Sequence, residues 1–334
     1  MKKTLRIMLA IVLIASCFPL NAADIQIYGR AHLSLDRLGD GENTGNNVSS
    51  NLSRLGFRAT TQINHDLEAF VQLEQLIRYG QRGSEFASRD SFAGVRGNFG
   101  SVRVGYFEPP GTVLRATVDL FNSRLGDSRN IGSGNDMAFD VRFRNGIHYQ
   151  SPRVNGFTFD LQYTPHDDVG ATTTNDQEGL GAGVNYQTGQ FFIGLAYQSY
   201  ETEFNRPEAW RLGTTYWLTE HWMLTGFLQH ASDLVGGDRS VAGAGALYRF
   251  GDYSARGQVY QSSANDIDET GARMLVLGLD KKMAPTFTLY ASYGVTDNEE
   301  EANFSVSAGG RDTGLTPLRG HSATGLSVGM IYDF

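Results

Sequence analysis

The sequence is short of cysteine, of charge and of long apolar runs, and each shortage excludes a class of protein. One cysteine in 334 residues can build neither a disulfide scaffold nor a cysteine-rich zinc site. Charged residues make up 19%, below the roughly 25% of ordinary chains, which removes the disordered polyelectrolytes. The 28 basic residues are outnumbered by 36 acidic ones, for a net charge of −8 and a pI near 5.4. The basic footprint that a nucleic-acid backbone demands is therefore missing. Past the N-terminal segment no window approaches about eighteen consecutive apolar residues, which excludes a membrane-spanning helix. The surplus lies elsewhere, in 40 glycines and 11% aromatics, at a mean hydropathy of −0.30.

Lys2, Lys3 and Arg6 form a basic start, Met8 to Ser16 is apolar or small, and Asn21-Ala22-Ala23 offers small residues for a signal peptidase. The pattern predicts a cleaved export signal over 1–22, cut after Ala22 with Ala23 as the alternative, and a mature chain over 23–334. Lipoprotein processing at Cys17, after Ile14-Ala15-Ser16, is the rival reading. Cleavage after Ala22 leaves 312 residues, removes the cysteine and three positive charges, and takes the net charge to −11. An exported, cysteine-free, acidic chain fits the Gram-negative envelope.

From residue 25 onward the period is two. Ile25, Ile27, Gly29, Ala31, Leu33 and Leu35 alternate with Gln26, Tyr28, Arg30, His32, Ser34 and Asp36. One face is apolar and the other polar, which is a strand wet on one side. The same alternation returns in Leu55–Ile63, Leu67–Leu73, Phe157–Tyr163, Phe191–Tyr197, Phe287–Val295 and Leu326–Phe334. Such segments start near 25, 51, 67, 89, 101, 139, 156, 179, 190, 208, 221, 239, 252, 271, 284 and 322, sixteen in all. Short connections such as Asn64-His65-Asp66 alternate with long polar ones at 37–50, 80–88, 108–138, 166–178, 200–207, 232–238, 262–270 and 297–321. Short turns at one end and long loops at the other describe an all-β, sixteen-stranded antiparallel transmembrane barrel. A soluble β-sandwich also alternates, but it hides its apolar face in a core about 10 Å thick. Aromatics gathered at strand ends (Tyr106-Phe107, Tyr216-Trp217, Trp222, Tyr332-Asp333-Phe334) and a persistent Arg, Gln, Thr, Ser and Gly face favour the membrane barrel.

Several stretches resemble the general diffusion porins of Gram-negative bacteria. They are Ile27-Tyr28-Gly29-Arg30, Ser53-Arg54-Leu55-Gly56-Phe57-Arg58, the run from Arg89 to Gly100, and the run from Arg144 to Pro152. The terminal Tyr332-Asp333-Phe334 is similar to the aromatic end that the barrel-assembly machinery reads in that family. The resemblance implies a homotrimer of outer-membrane barrels, in contact with lipid and lipopolysaccharide, that passes small hydrophilic solutes and ions passively. It also implies that a third long loop, here 108–138, folds into the lumen, where acidic groups face a basic wall.

Matching the motifs puts that wall at Arg30, Arg54, Arg89 and Arg144. Strand alternation independently gives lumen parity to Arg30, Arg54, Arg58 and Arg144. Arg89 shares the parity of Ala93 and Val95, so a lumen position for it requires a bulge or a rim site. Loop 108–138 carries Glu108, Asp119, Asp127 and Asp136 beside Arg115, Arg124 and Arg129. It lacks the Pro-Glu-Phe-Gly-Gly run of the family, which leaves the pore-lining acid open; our reading favours Asp119 and Asp127. Opposed charges across a narrow aperture filter ions by sign and size. An acidic chain argues for cations and an arginine wall for anions, and with loop charges screened beyond about 10 Å at 0.1 M salt we expect little or mild selectivity.

Two other readings compete. A substrate-selective channel would use lumen aromatics, and Tyr28, Phe70, Phe92 and Phe107 share the polar-side parity. An enzyme is disfavoured: Gly325-Leu326-Ser327-Val328-Gly329 matches a nucleophile-elbow pattern but lies within an alternating strand, with no helix after it. The seven histidines show no metal-ligand spacing, so no catalytic residue, metal or cofactor is expected.

Overall fold

A strand with one apolar and one polar face needs two different solvents, and closing the sheet on itself supplies both. The computed structural model describes residues 23–81, 86–135, 137–165, 178–312 and 314–334. Residues 1–22, where an export signal is expected, and Asp136 lie outside the described residues. The strands are β1 (Asp24–Gly39), β2 (Thr44–Ser50), β3 (Arg54–Asn64), β4 (Leu67–Leu76), β5 (Ser91–Gly97), β6 (Gly100–Phe107), β7 (Phe143–Gln150) and β8 (Phe157–Thr164). They continue as β9 (Gly179–Gln187), β10 (Phe191–Tyr200), β11 (Glu208–Trp217), β12 (Trp222–Ser232), β13 (Arg239–Phe250) and β14 (Tyr253–Ser262). The last are β15 (Ala272–Ala284), β16 (Phe287–Asn298) and β17 (Ala323–Asp333).

All neighbours are antiparallel, and β17 returns to β1 in register from Arg30↔Asp333 to Gly39↔Thr324. The lower half of β1 pairs with β3 and the upper half with β2. Those two segments share one stave, broken at Asn51–Ser53 where Leu52 turns to φ 53°, so seventeen segments make a closed sixteen-strand barrel. Closure leaves no unpaired edge for lipid to meet. At the seam the Gly29 and Phe334 backbones exchange hydrogen bonds of 2.8 and 3.0 Å. The Phe334 ring lies over Gly29, where a Cβ would collide with the ring and sit 2.9 Å from the Arg54 carbonyl.

The apolar side chains are outside. Ile25 is 68% exposed and Val328 56%, while Ser327 between strand neighbours is fully buried. That is the inverse of a soluble protein and excludes the sandwich. Rings collect at the short-turn end: Trp222, Tyr248, Phe250 and Tyr253 follow one another at 4.6, 5.7 and 5.6 Å. Phe287, Tyr332 and Phe334 extend the girdle at 6.2 and 5.7 Å, as interfacial aromatics do.

Residues 37–50, expected as a long loop, are mostly strand. β1 runs to Gly39 and β2 begins at Thr44, joined by a turn in which the Asp40 carboxylate accepts the Glu42 and Asn43 amides at 3.0 and 2.7 Å. This hairpin has no apolar face for a period to mark, since five of the seven β2 residues are exposed on both sides. The long connection between β6 and β7 instead spans 108–142 and folds inside the barrel. Its helices α1 (Pro110–Val118) and α2 (Arg129–Gly132) lean on the inner faces of β8–β12 and β14–β15. The protein's buried apolar cluster therefore forms inside the barrel, from Val118, Phe121, Leu125, Ile131 and Phe139 of this loop against Phe227, Tyr260, Met274 and Val276 of the wall.

Candidate functional site

With the loop pressed on one wall, the aqueous space that remains lies against β1–β7. A cavity of about 320 Å³ opens there. The wall contributes Arg30, Arg54, Arg58, Arg89 and Arg103, and the loop contributes Arg115, Arg129 and Arg142 beside Asn122 and Ser123. Three carboxylates, Glu74, Asp90 and Glu108, share the lining with these eight arginines. So many like charges tolerate one another only in water with partial pairing.

The pairing is partial. Arg30 forms a two-point contact with Asp333, at 2.5 and 3.1 Å. Glu74, buried, takes Arg89 at 2.5 Å, Arg54 at 3.4 Å and the Tyr28 hydroxyl at 3.0 Å. Arg142 is held by Asp90 and Glu108. Arg58 and Arg103 have no carboxylate partner among the described residues. Arg58 donates Nε–H to the Gln72 side-chain carbonyl at 2.8 Å and lies 4.1 Å over the Tyr28 ring. Arg103 donates to His148 Nδ1 at 3.2 Å, which leaves His148 Nε2 to donate to Asp160 at 3.0 Å.

The structure thus brings Arg30, Arg54, Arg58 and Arg89 around one cavity and leaves Arg144 out of it. In β7 the residues Arg144 and Asn145 together oppose Tyr106 of β6, a bulge with Asn145 at φ 53°. The extra residue shifts the parity: Phe143 and Gly146 face inward and Arg144 is exposed. Arg89 precedes β5 and is buried, so strand parity never governed it.

Asp119 and Asp127 do not face the cavity either. Both carboxylates have no solvent-accessible side-chain surface and knit the loop to itself. Asp119 accepts from the Ser128 amide and hydroxyl (2.8 Å each), the Phe121 amide (2.9 Å), Gln258 (3.0 Å) and Arg115 (3.1 Å). Asp127 accepts from the Ser123 and Arg129 amides at 2.5 and 2.9 Å and from the Arg129 and Arg115 side chains. Burial and the neighbouring Asp127 raise the Asp119 pKa. For Asp127 burial pulls the same way, but Arg129 and Arg115 overcome it and hold the pKa below the usual range. Asp140 is likewise depressed, against its burial, by Arg115 and Arg211. On the far wall Arg124 clamps Asp280 at 2.6 and 3.1 Å.

Two cavity arginines carried unequal signals in the sequence. Arg103 has the lumen parity of Ser101 and Phe107, between outward Val102 and Val104, and so was readable from alternation. Arg142 is the last residue of the loop, just before β7, where no period applies.

The comparisons with known proteins agree with this architecture. A profile of the Gram-negative porin family matches residues 9–301. The major outer membrane protein P.IB of Neisseria meningitidis serogroup A is 26% identical over 93% of this chain and 98% of its own length. Among solved structures, the anion-selective porin from Comamonas acidovorans covers 94% of this chain and 100% of its own, with TM-score 0.81 at 23% identity. An OmpF from Salmonella typhi in complex with daunomycin covers 93% and 97%, with TM-score 0.71 at 17% identity.

Proposed function

Since this chain belongs to the Gram-negative porin family and is a passive diffusion channel of the outer membrane rather than an enzyme, we propose that its loop 108–142 and arginine wall form a constriction that favours anions. The observation that carries the reading is the charge left around the cavity once its pairs are made: Arg58 and Arg103 have no carboxylate partner among the described residues, and Arg54 and Arg89 share the single carboxylate of Glu74. A fixed positive excess in a narrow aqueous neck attracts anions and repels cations of equal size. The acids first favoured for the pore, Asp119 and Asp127, spend their charge on Arg115 and Arg129 inside the loop, so they oppose this field weakly. Acids on the long loops sit outside the neck and are screened within about 10 Å at 0.1 M salt. The Comamonas structure similar to this chain is described as anion-selective, which supports the same sign. The earlier expectation of little or mild selectivity is therefore replaced by anion preference. The test is the reversal potential of the refolded channel in a potassium chloride gradient.

We further infer a homotrimer in contact with lipid and lipopolysaccharide. The trimer form of OmpT from Vibrio cholerae, similar in fold with TM-score 0.71, supports that assembly. Phe334, exposed at the seam with its ring 5.7 Å from that of Tyr332, is accessible for reading by the barrel-assembly machinery. Cross-linking of the detergent-extracted protein tests the stoichiometry.

A further inference from the structure

Between the constriction and the short-turn rim, the wall carries a chain of rings that simple diffusion does not need. Phe70, Phe92, Phe107 and His148 come from four consecutive strands and meet edge to face, with centroids 6.1, 6.0 and 5.8 Å apart. Phe70 and Phe92 are only half-buried, so apolar rings face a lumen whose other side chains are polar or charged, with Glu68 and Glu74 of the same strand face engaged by Arg96 and Arg89. The position opposite Phe70 is Gly94, where a Cβ would sit 2.7 Å from the Phe70 ring and 3.0 Å from the Arg103 Cα. Glycine there leaves room both for the Val102 carbonyl of the neighbouring strand, which a Cβ would strike, and for the Phe70 ring.

Arg103 lies over this chain, 4.6 Å from the Phe92 centroid and 4.3 Å from that of Phe107. Its Nε–H is used by His148, as that of Arg58 is used by Gln72. Among the described residues the terminal Nη groups of both have no acceptor, so each presents an open fork of donors. They border a cavity of about 240 Å³ that Phe70, Phe92, Thr60 and Ser101 help to line and that contains no carboxylate. An open guanidinium fork matches a carboxylate, and a ring edge beside it matches a second ring.

We propose that this pocket is a binding subsite for a small aromatic carboxylate. The ring packs against Phe70 and Phe92 while Arg103 and Arg58 take the carboxylate. The subsite rests on the anion-favouring reading above and adds to it a preference among anions. It turns that stretch of the pore from a passive wall into a station where one class of solute accumulates.

The experiment is single-channel recording in chloride with benzoate, cyclohexanecarboxylate or acetate added, reading the concentration that halves the current. Benzoate should act at a concentration about tenfold below acetate, the factor that about 1.4 kcal/mol carries, and below cyclohexanecarboxylate. Phe70→Leu and Phe92→Leu should each bring benzoate to within about twofold of cyclohexanecarboxylate, whereas Phe92→Tyr, which keeps the ring, should preserve the difference. Arg103→Gln should weaken all three acids. Conductance steps in each variant show that its barrel has folded. Equal action of benzoate and acetate in an anion-favouring channel overturns the subsite and leaves the charge reading standing, as does a benzoate preference that survives both leucine variants. A cation-favouring reversal potential overturns the charge reading itself.

Discussion

Two arginines that the motifs and alternation placed on the same wall should behave differently when neutralised. Arg58 borders the cavity and has no carboxylate partner among the described residues, whereas Arg144 is exposed beyond a bulge. In a cavity of about 320 Å³, a passing ion comes within about 6 Å of the Arg58 guanidinium. At that distance in water two unit charges interact by about 0.7 kcal/mol, and 0.1 M salt with its Debye length of about 10 Å leaves roughly half. An anion gains what a cation loses, so Arg58→Gln shifts the difference between them by about 0.8 kcal/mol, about fourfold in permeability ratio towards cations. Arg144→Gln should change the ratio by less than about 1.3-fold, since its charge lies outside the neck and is screened. Reversal potentials in a tenfold potassium chloride gradient, at 0.1 M and again at 1 M, read both variants. The Arg58 effect should shrink at the higher salt. Equal shifts for the two variants, or a larger one for Arg144, would refute the placement of the bulge and the cavity.

Arg115, buried among Asp119, Asp127 and Asp140, holds the loop together; Arg115→Leu strands these carboxylates at a cost of about 3–5 kcal/mol. The loop should then leave the wall, seen as larger and noisier single-channel steps, and unchanged conductance would contradict its anchoring role. The depressed pKa values of Asp127 and Asp140 contribute stability that is fully present above the ordinary carboxylate pKa of about 4 and is lost as pH falls through the lower folded values. In an Asp119→Asn variant, which removes the one carboxylate of this network whose pKa is raised, conductance should accordingly be flat from pH 8 to 5 and change only below about pH 4; a transition near pH 6 would contradict this. Gly29→Val drives a side chain into the Phe334 ring and the Arg54 carbonyl, and should lower the yield of folded barrel in a heat-shift gel assay, while wild-type yield would show the seam packing to be dispensable.

How much of this was legible in the sequence depended on whether a residue sat in a regular strand between lipid and water. There the two solvents impose a period of two, and Arg30, Arg54 and Arg58 could be assigned to the lumen from their neighbours alone. The hairpin of β2 escaped because its polar residues separate no two solvents. Arg144 was misplaced by one inserted residue, which no composition signal marks. Asp119 and Asp127 were misjudged for a different reason: a loop folded into a barrel must neutralise its own buried arginines before it can offer acids to the pore. Arg142 and Glu74, which complete the cavity's charge pattern, act through contacts across strands that a linear pattern does not contain.

We expect fixed positive charge at the neck to set the ion preference of this acidic chain. The zero-current potential of the wild-type channel in a planar bilayer with a tenfold potassium chloride gradient tests this most directly. A positively charged neck gives a potential of the sign set by chloride, in steps of an open pore. A potential of the potassium sign would contradict this and place the deciding charges on the outer loops.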